Sequence, residues 1–352
     1  MGFYSNTRPS QAIDVSWKQF GTTFNTTNVS LAEAIQTAGL DYNVIEEPLI
    51  RIPQDVLDKV LKGESVDFNL TRNNVVTTHK CTVREDTNKG LGVVGNSYSI
   101  VQNTKAFDFI NFIGEVSGQQ PVIETAGTFG NGERMFIACR LGDDVYLDKD
   151  DNIRNYVVFT NTHNGTSGVM ALMTPLRVIC QNTLNMAIRG AKNKIVFRHT
   201  KNVNERLDWE IDENRKITAK FFEDSAKFNK VFLDRMLQLK TEKVSTDYIR
   251  DITAKFYLSE DSFDLYKKNN FNLEGIEDIA PVTRNKIEAL RDSIENGIGQ
   301  DKHRGTKLWI INGLTTMLHN EKSWKSGEDE MKSLLGGDGA NKLQKMYNMI
   351  AA

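Results

Sequence analysis

The chain has 352 residues, of which 39% are hydrophobic and 26% charged. That composition suits one large or two ordinary globular domains and excludes wholesale disorder. Lys and Arg total 44 against 46 Asp and Glu, a net charge of −2, so any nucleic-acid role needs a local basic patch. No apolar run approaches the roughly 18 residues that cross a bilayer. The start, residues 1–11, lacks the apolar core of a signal peptide, so a cytoplasmic location is expected.

Residues 1–29 form a polar arm with Trp17 and Phe20 as isolated anchors. Ser30-Leu31-Ala32-Glu33 is a capping box opening a short helix that ends near Gly39. A strand is expected over 42–52, then a helix from Pro53 to Leu61 with Gly63 as its stop. Strands follow at 75–84 and 92–101, and Asn103 or Thr104 then caps a helix through Val116 with Phe107, Ile110, Phe112 and Ile113 as its apolar side. Residues 121–128 and 134–141 read as a hairpin over Gly130-Asn131-Gly132. Short strands at 145–147 and 155–160 flank the acidic stretch 148–152, and 168–173 is a further apolar run. Pro175 then opens a predicted helix from Leu176 to Arg189, and 195–198 is a short strand.

Beyond residue 203 the texture becomes helical. Phe221, Phe222, Phe228, Phe232, Met236 and Leu239 recur at helical spacing over 217–240. Further helices are expected at 246–258, 282–294, 306–319 and 343–350, with Gly336-Gly337-Asp338-Gly339 as a flexible joint. The expected class is therefore α+β: an antiparallel hairpin and strand core packed on a helix, followed by a mostly helical C-terminal region. The division is an arm at 1–29, an α+β core at 30–202, a helical region at 203–328, and a joint with a final helix at 329–352.

Several patterns suggest chemistry and then fail on context. Gly90-Leu91-Gly92-Val93-Val94-Gly95 matches a dinucleotide fingerprint, yet no strand abuts it and Val93-Val94 starts a helix poorly, so a glycine-relieved turn into a strand is the better reading. Asp148 to Asn152 resembles a calcium loop but has Ile153 where the glycine is needed, and reads as a solvated hairpin turn. Asp143 and Asp144 extend the same acidic edge. The five histidines have no zinc-hydrolase spacing, and Cys81, Cys139 and Cys180 read as reduced core thiols. His163, in the loop Thr162-His163-Asn164-Gly165-Thr166-Ser167, could act as a base toward Ser167, but no nucleophile elbow supports it, and a turn residue with a polar contact is expected.

The strongest local signal is cationic. Residues 187–206 hold Arg189, Lys192, Lys194, Arg198, Lys201 and Arg206, with Glu205 as the only acid. Such a run is a solvated face or a phosphate-tracking surface. On the predicted 176–189 helix, Arg177, Gln181, Asn185 and Arg189 fall on one stripe with two cations, two amides and no acid.

The strings Asn161 to Ser167, Thr174 to Leu184 and Arg198-His199-Thr200 resemble a family of phage- and plasmid-encoded proteins catalogued as a domain of unknown function, of the 932 type. Gly305 to Leu314 resembles that family's C-terminal segment, with Trp309 one residue later than usual and Gly313 where an alanine stands. The similarity spans roughly residues 30–350. A more distant resemblance is to phage single-strand annealing recombinases, whose fold sets a hairpin and strands against a helix and assembles as rings or filaments on single-stranded DNA. It implies a non-catalytic, cofactor-free protein that anneals single strands in recombination, in the host cytoplasm, as a homo-oligomer. Arg189, Lys192, Lys194, Arg198 and Lys201 would then bind phosphate, while Arg177, Gln181 and Asn185 would line the groove. The rival expectations are a metal-dependent nuclease or hydrolase around His163 and the Asp143-Asp144 edge, and an inhibitor module binding a host protein.

Overall fold

A computed structural model of the protein describes residues 21–25, 28–67, 69–149, 151–177, 182–183, 194–297, 300–318, 325–326, 329, 333 and 337–351. Trp17, Phe20, Cys180 and His319, and the side chain of Phe228, lie outside the described set.

Helix α1 (Leu31–Thr37) starts as its sequence dictates: Ser30 Oγ accepts the Glu33 amide at 3.2 Å. Strand β2 (Val44–Ile50) leads to α2 (Gln54–Leu61), and β3 (Val75–Arg84) to β4 (Lys89–Gly95). Strands β2, β3 and β4 make a three-stranded antiparallel sheet. The Gly-x-Gly-x-x-Gly pattern lies in β4, which begins three residues and ends six residues before the expected 92–101 strand, and its glycine has a steric reason. A Cβ on Gly92 would stand 2.5 Å from Asn164 Cα, so the strand can pass this close to the His163 loop only without a side chain.

Helix α3 (Asn103–Ser117) precedes the larger sheet. That sheet holds β1 (Thr22–Thr23), β5 (Val122–Phe129), β6 (Arg134–Arg140), β7 (Val145–Asp148), β8 (Asp151–Thr162), β9 (Val169–Arg177), β10 (Asn182–Thr183) and β11 (Lys194–Phe197). All its pairings are antiparallel, in the order β1-β5-β6-β8-β9-β10, with β7 added to β8 and β11 to β9. Met135 to Cys139 and Tyr156 to Phe159 are buried without a break, so these central strands are covered on both faces. That is why they read as continuous apolar runs and not as alternation.

The expected helix over 176–189 is corrected at its start. Residues 169–177 are strand, and Arg177 pairs with Asn182 and Leu176 with Thr183 in an antiparallel ladder. The physical reason lies at Thr174-Pro175. A residue before proline is pushed toward extended backbone. Pro175 also falls where β9 has no neighbour opposite β8, because β11 ends at Leu172 and β10 begins at Leu176. A proline is tolerated in such an edge gap, so here it continues a strand where the pattern suggests a helix start.

The rest is helical: α4 (Val203–Arg206), α5 (Asp212–Thr241), α6 (Thr246–Tyr257), α7 (Glu260–Lys268), α8 (Pro281–Asn296), α9 (Lys307–Thr316) and a last helix, Asp338–Ala351. The last begins within the expected joint, so Gly339 sits in its first turn. The class is α+β, with the helices gathered in the C-terminal half.

Two apolar cores follow. In the first, Phe109, Ile110, Phe112 and Ile113 of α3 pack on Ile137, Val157, Phe159 and Ala171 of the sheet, with Phe221 and Phe222 of α5. The Trp209 ring stacks on Phe109 at 4.7 Å and on Phe112 at 5.2 Å. In the second, Phe232, Met236 and Leu239 of α5 join α6, α8, α9 and the last helix. Helix α9 is buried on every side from Leu308 to Thr316, as an all-round apolar helix must be. Gly313 is its contact point with α8: a Cβ there would stand 2.6 Å from Ile294 Cα. Trp309, Ile310 and Ile311 thus fill the chain's own interior and form no exposed face.

The β7–β8 hairpin belongs to both cores, since Leu147 and Ile153 pack with the helices. The acidic turn expected to be solvated is instead docked. Asp151 is fully buried, and its Oδ2 lies 2.7 Å from His303 Nε2. Lys240 of α5 pairs with Asp148 at 2.8 Å. Breaking a buried pair strands its remaining member, at about 3–5 kcal/mol. His303→Ala and Asp151→Ala should each lower the unfolding free energy in urea by that order, and the double variant by clearly less than their sum. Strict additivity would mean that the two side chains do not act together.

Candidate nucleic-acid interface

The two sheets and α3 meet at a buried polar node. Asn103, at the start of α3, donates from Nδ2 to Leu40 O at 2.9 Å, and its Oδ1 lies 2.9 Å from His163 Nε2. The carbonyl oxygen can only accept, so Nε2 carries the proton and Nδ1 faces a buried site without a partner. Asn161 Nδ2 donates to Val101 O at 2.9 Å, and Thr82 Oγ1 to His163 O at 2.6 Å. Tyr42 donates to Gly132 O at 2.8 Å beneath the Arg84 guanidinium, 3.9 Å from its ring centroid. Burial pushes the Tyr42 phenol up to about 12.

His163 thus lies in the loop after β8 and makes a polar contact, as expected, but it is fully buried. Burial, helped by nearby His199, lowers it from the ordinary 6.5 to about 3. Its hydrogen-bond partner is Asn103; Ser167 takes part through its backbone, which exchanges bonds with Thr162 Oγ1. Asp144 is engaged by Asn152 and by Arg154 at 3.1 Å. Among the described residues no three His, Cys, Asp or Glu side chains are grouped as a metal site.

From this node the basic segment is suspended. Tyr98 donates to Thr162 O at 2.8 Å, and its ring stacks on His199 at 4.6 Å and 17°. His199 makes two bonds with Ser99: Nδ1 donates to Ser99 O at 3.0 Å, and the Ser99 amide donates to His199 O at 3.1 Å. Burial lowers the His199 pKa too, which keeps the ring neutral and leaves the charge to its neighbours. Just before it, β11 pairs with β9 over Lys194↔Leu172 to Phe197↔Val169 and has no partner on its other side among the described residues.

On this edge Lys194, Arg198 and Lys201 are all exposed, and none has an ion-pair partner among the described residues. Arg206, also exposed, lies with its guanidinium carbon 5.4 Å from the Phe197 ring centroid, so four cations gather around one short strand. Charge is the only sequence signal of Arg206, since its place over Phe197 depends on the turn into α4. Arg177 is at the far end of β9, paired with Asn182, and does not share a helical stripe. Gln181, Asn185, Arg189 and Lys192 lie outside the described residues. Tyr98 and Ser99 carry no sequence signal beyond ordinary polarity, and Asn103 reads only as a candidate helix cap; its bonds to Leu40 and His163 belong to tertiary structure.

The depressed histidine has a pH consequence. Its folded pKa lies below its unfolded one, so its stabilising contribution is complete above about pH 6.5 and is lost as pH falls toward about 3. In that window stability should fall by about 1.4 kcal/mol per pH unit from this group alone. His163→Gln, which keeps an N–H for Asn103, should show a shallower slope by that amount in urea unfolding between pH 6.5 and 4; an unchanged slope would assign the titration elsewhere.

Among the described residues no helix is long and apolar enough to cross a membrane. Neither a curated protein nor a solved structure matches the chain. A family model does match, over residues 90–335. It takes in β4, the His163 loop, the cationic edge and α9, well over half of the chain, and so the protein belongs to the family described as a domain of unknown function, DUF932.

Proposed function

We propose that the protein binds single-stranded nucleic acid along the β11 edge, and that it acts without catalysis to pair strands in the recombination of a phage or other mobile element. The observation that carries this reading is the cluster of Lys194, Arg198, Lys201 and Arg206, exposed and without ion-pair partners among the described residues. Several cations elsewhere are matched: Arg140 with Glu124, Arg154 with Asp144, Arg235 and Lys307 with Glu242, and Lys240 with Asp148. A matched cation has little to gain from a phosphate, whereas an unmatched one gains by releasing counterions from the nucleic-acid backbone. The segment is also held by His199 against Tyr98 and Ser99, so little ordering entropy is lost on binding.

Contacts confined to the backbone leave bases free to pair with a second strand. A short cationic edge is weak alone, so annealing requires several copies on one strand, and the proposed working form is a homo-oligomer. Gln181, Asn185, Arg189 and Lys192 remain candidates for extending the track.

The test is fluorescence anisotropy with labelled oligo-dT, its RNA counterpart and a duplex, over about 50–200 mM salt. Three or four phosphates should give a slope of log K against log salt of about −2 to −3 for single strands. Lys194→Glu with Arg198→Glu and Lys201→Glu should abolish binding, while each exposed change shifts stability by only about 0.5 kcal/mol. Wild-type affinity in that variant, or salt-independent binding, would overturn the assignment. Cleavage of the oligonucleotide on adding a divalent metal would favour the hydrolase reading.

A further inference from the structure

Helix α5 passes from one core to the other, and between its two buried stretches it stands off the sheet. The gap is a cavity of about 580 Å³, within the range of about 300–1,000 Å³ typical of small-molecule sites. Leu141 and Met173 of the sheet, Val116 of α3, and Phe222 and Leu233 of α5 give it apolar walls.

One wall position breaks the pattern. Along β8 the side chains on the helix-facing side are apolar at Ile153, Val157 and Phe159, but residue 155 is asparagine. Asn155 lines the cavity, and its Oδ1 is buried without a hydrogen-bond partner. An unsatisfied buried acceptor costs about 1–3 kcal/mol. The other small polar group nearby, Ser117, is already committed, since its Oγ donates to Ile113 O at 2.7 Å. The charged wall residues Glu223, Lys230 and Asp234 are exposed on α5 and leave the interior neutral.

We propose that this cavity binds a small, mainly apolar molecule carrying one hydroxyl or N–H group. Asn155 Oδ1 accepts that hydrogen, and the apolar body lies between Met173 and Phe222. None of the lining residues belongs to the cationic edge, so the site stands whether or not the protein binds nucleic acid.

The experiment uses the full chain and two probes of similar shape: 2-naphthol, which can donate, and 2-methoxynaphthalene, which cannot. Fluorescence titration should show saturable one-to-one binding of 2-naphthol and at least tenfold weaker binding of the methoxy compound. Ala226→Trp places an indole in the cavity from α5 and should weaken 2-naphthol at least tenfold. Asn155→Leu removes the acceptor at similar volume, so it should melt no lower than wild type and bind both probes alike. No saturable binding of 2-naphthol, equal affinity of the two probes for the wild type, or undiminished binding by an Ala226→Trp variant that melts normally would each overturn the proposal. If Ala226→Trp fails to fold, loss of probe discrimination in Asn155→Leu decides the matter, and retained discrimination overturns it.

Discussion

The Asn103 side chain is the point on which the architecture turns. A primary amide has two donors and an acceptor oxygen, and in a buried site each needs a partner. Here one donor is spent on Leu40 O, just beyond α1, and the acceptor on His163, in the loop between β8 and β9. One residue at the start of α3 thus fixes the approach to the small sheet and the loop of the large one. Thr82 adds the reciprocal tie, since it sits on β3 and donates to the His163 carbonyl. With these bonds made, Gly92 must lie against Asn164, and the absence of its side chain is a condition of the contact. The network depends on a neutral His163, which its burial enforces.

The second constraint is continuity between the two cores. Helix α5 has 30 residues, about 45 Å at 1.5 Å per residue, and buries Phe221 and Phe222 in one core and Phe232, Met236 and Leu239 in the other. The β7–β8 hairpin closes the same seam from the sheet side through Leu147, Ile153 and the Asp151–His303 pair. Two rigid bridges at a fixed separation leave space between them where neither core extends. The cavity at Asn155 is that space, so its position follows from the bridging.

Much of this was legible in the residues where one physical rule acts locally. Ser30 and Gly39 bound α1, residues 75–84 form β3, and Gly130-Asn131-Gly132 turns the β5–β6 hairpin, because caps and turns are decided within a few residues. The reading fails where distant contacts decide. Pro175 looks like a helix start, yet the gap between β10 and β11 makes it a strand residue. His163 reads as a loop residue with a polar contact and is one, but its burial beside Asn103 and Thr82, 60 and 81 positions away, has no local sign. Asp151 looks solvated, yet its partner His303 is 152 positions away. Of the candidate site, charge alone marked Lys194, Arg198 and Lys201. The strand and the histidine that hold them belong to tertiary structure and have no local signature.

That support gives the cationic edge its meaning. Exposed lysines on a mobile loop would lose side-chain and backbone entropy on meeting a phosphate, and the net gain would be small. Here the backbone entropy is already spent in folding, because Phe197 is buried in the core and His199 is stacked and doubly bonded to Ser99. The buried residues alternate with the exposed ones: Phe197 in, Arg198 out, His199 in. Phe197 ends β11, and the two residues after it carry the in-and-out alternation of the strand beyond its end. The same geometry limits what the edge can recognise. Cations on a strand end, a turn and a short helix read charge and carry no donor–acceptor code for bases. Sequence-independent binding of a flexible anionic chain is the recognition such a set can provide, and it is what the proposed strand pairing would require of a protein that must leave the bases to each other.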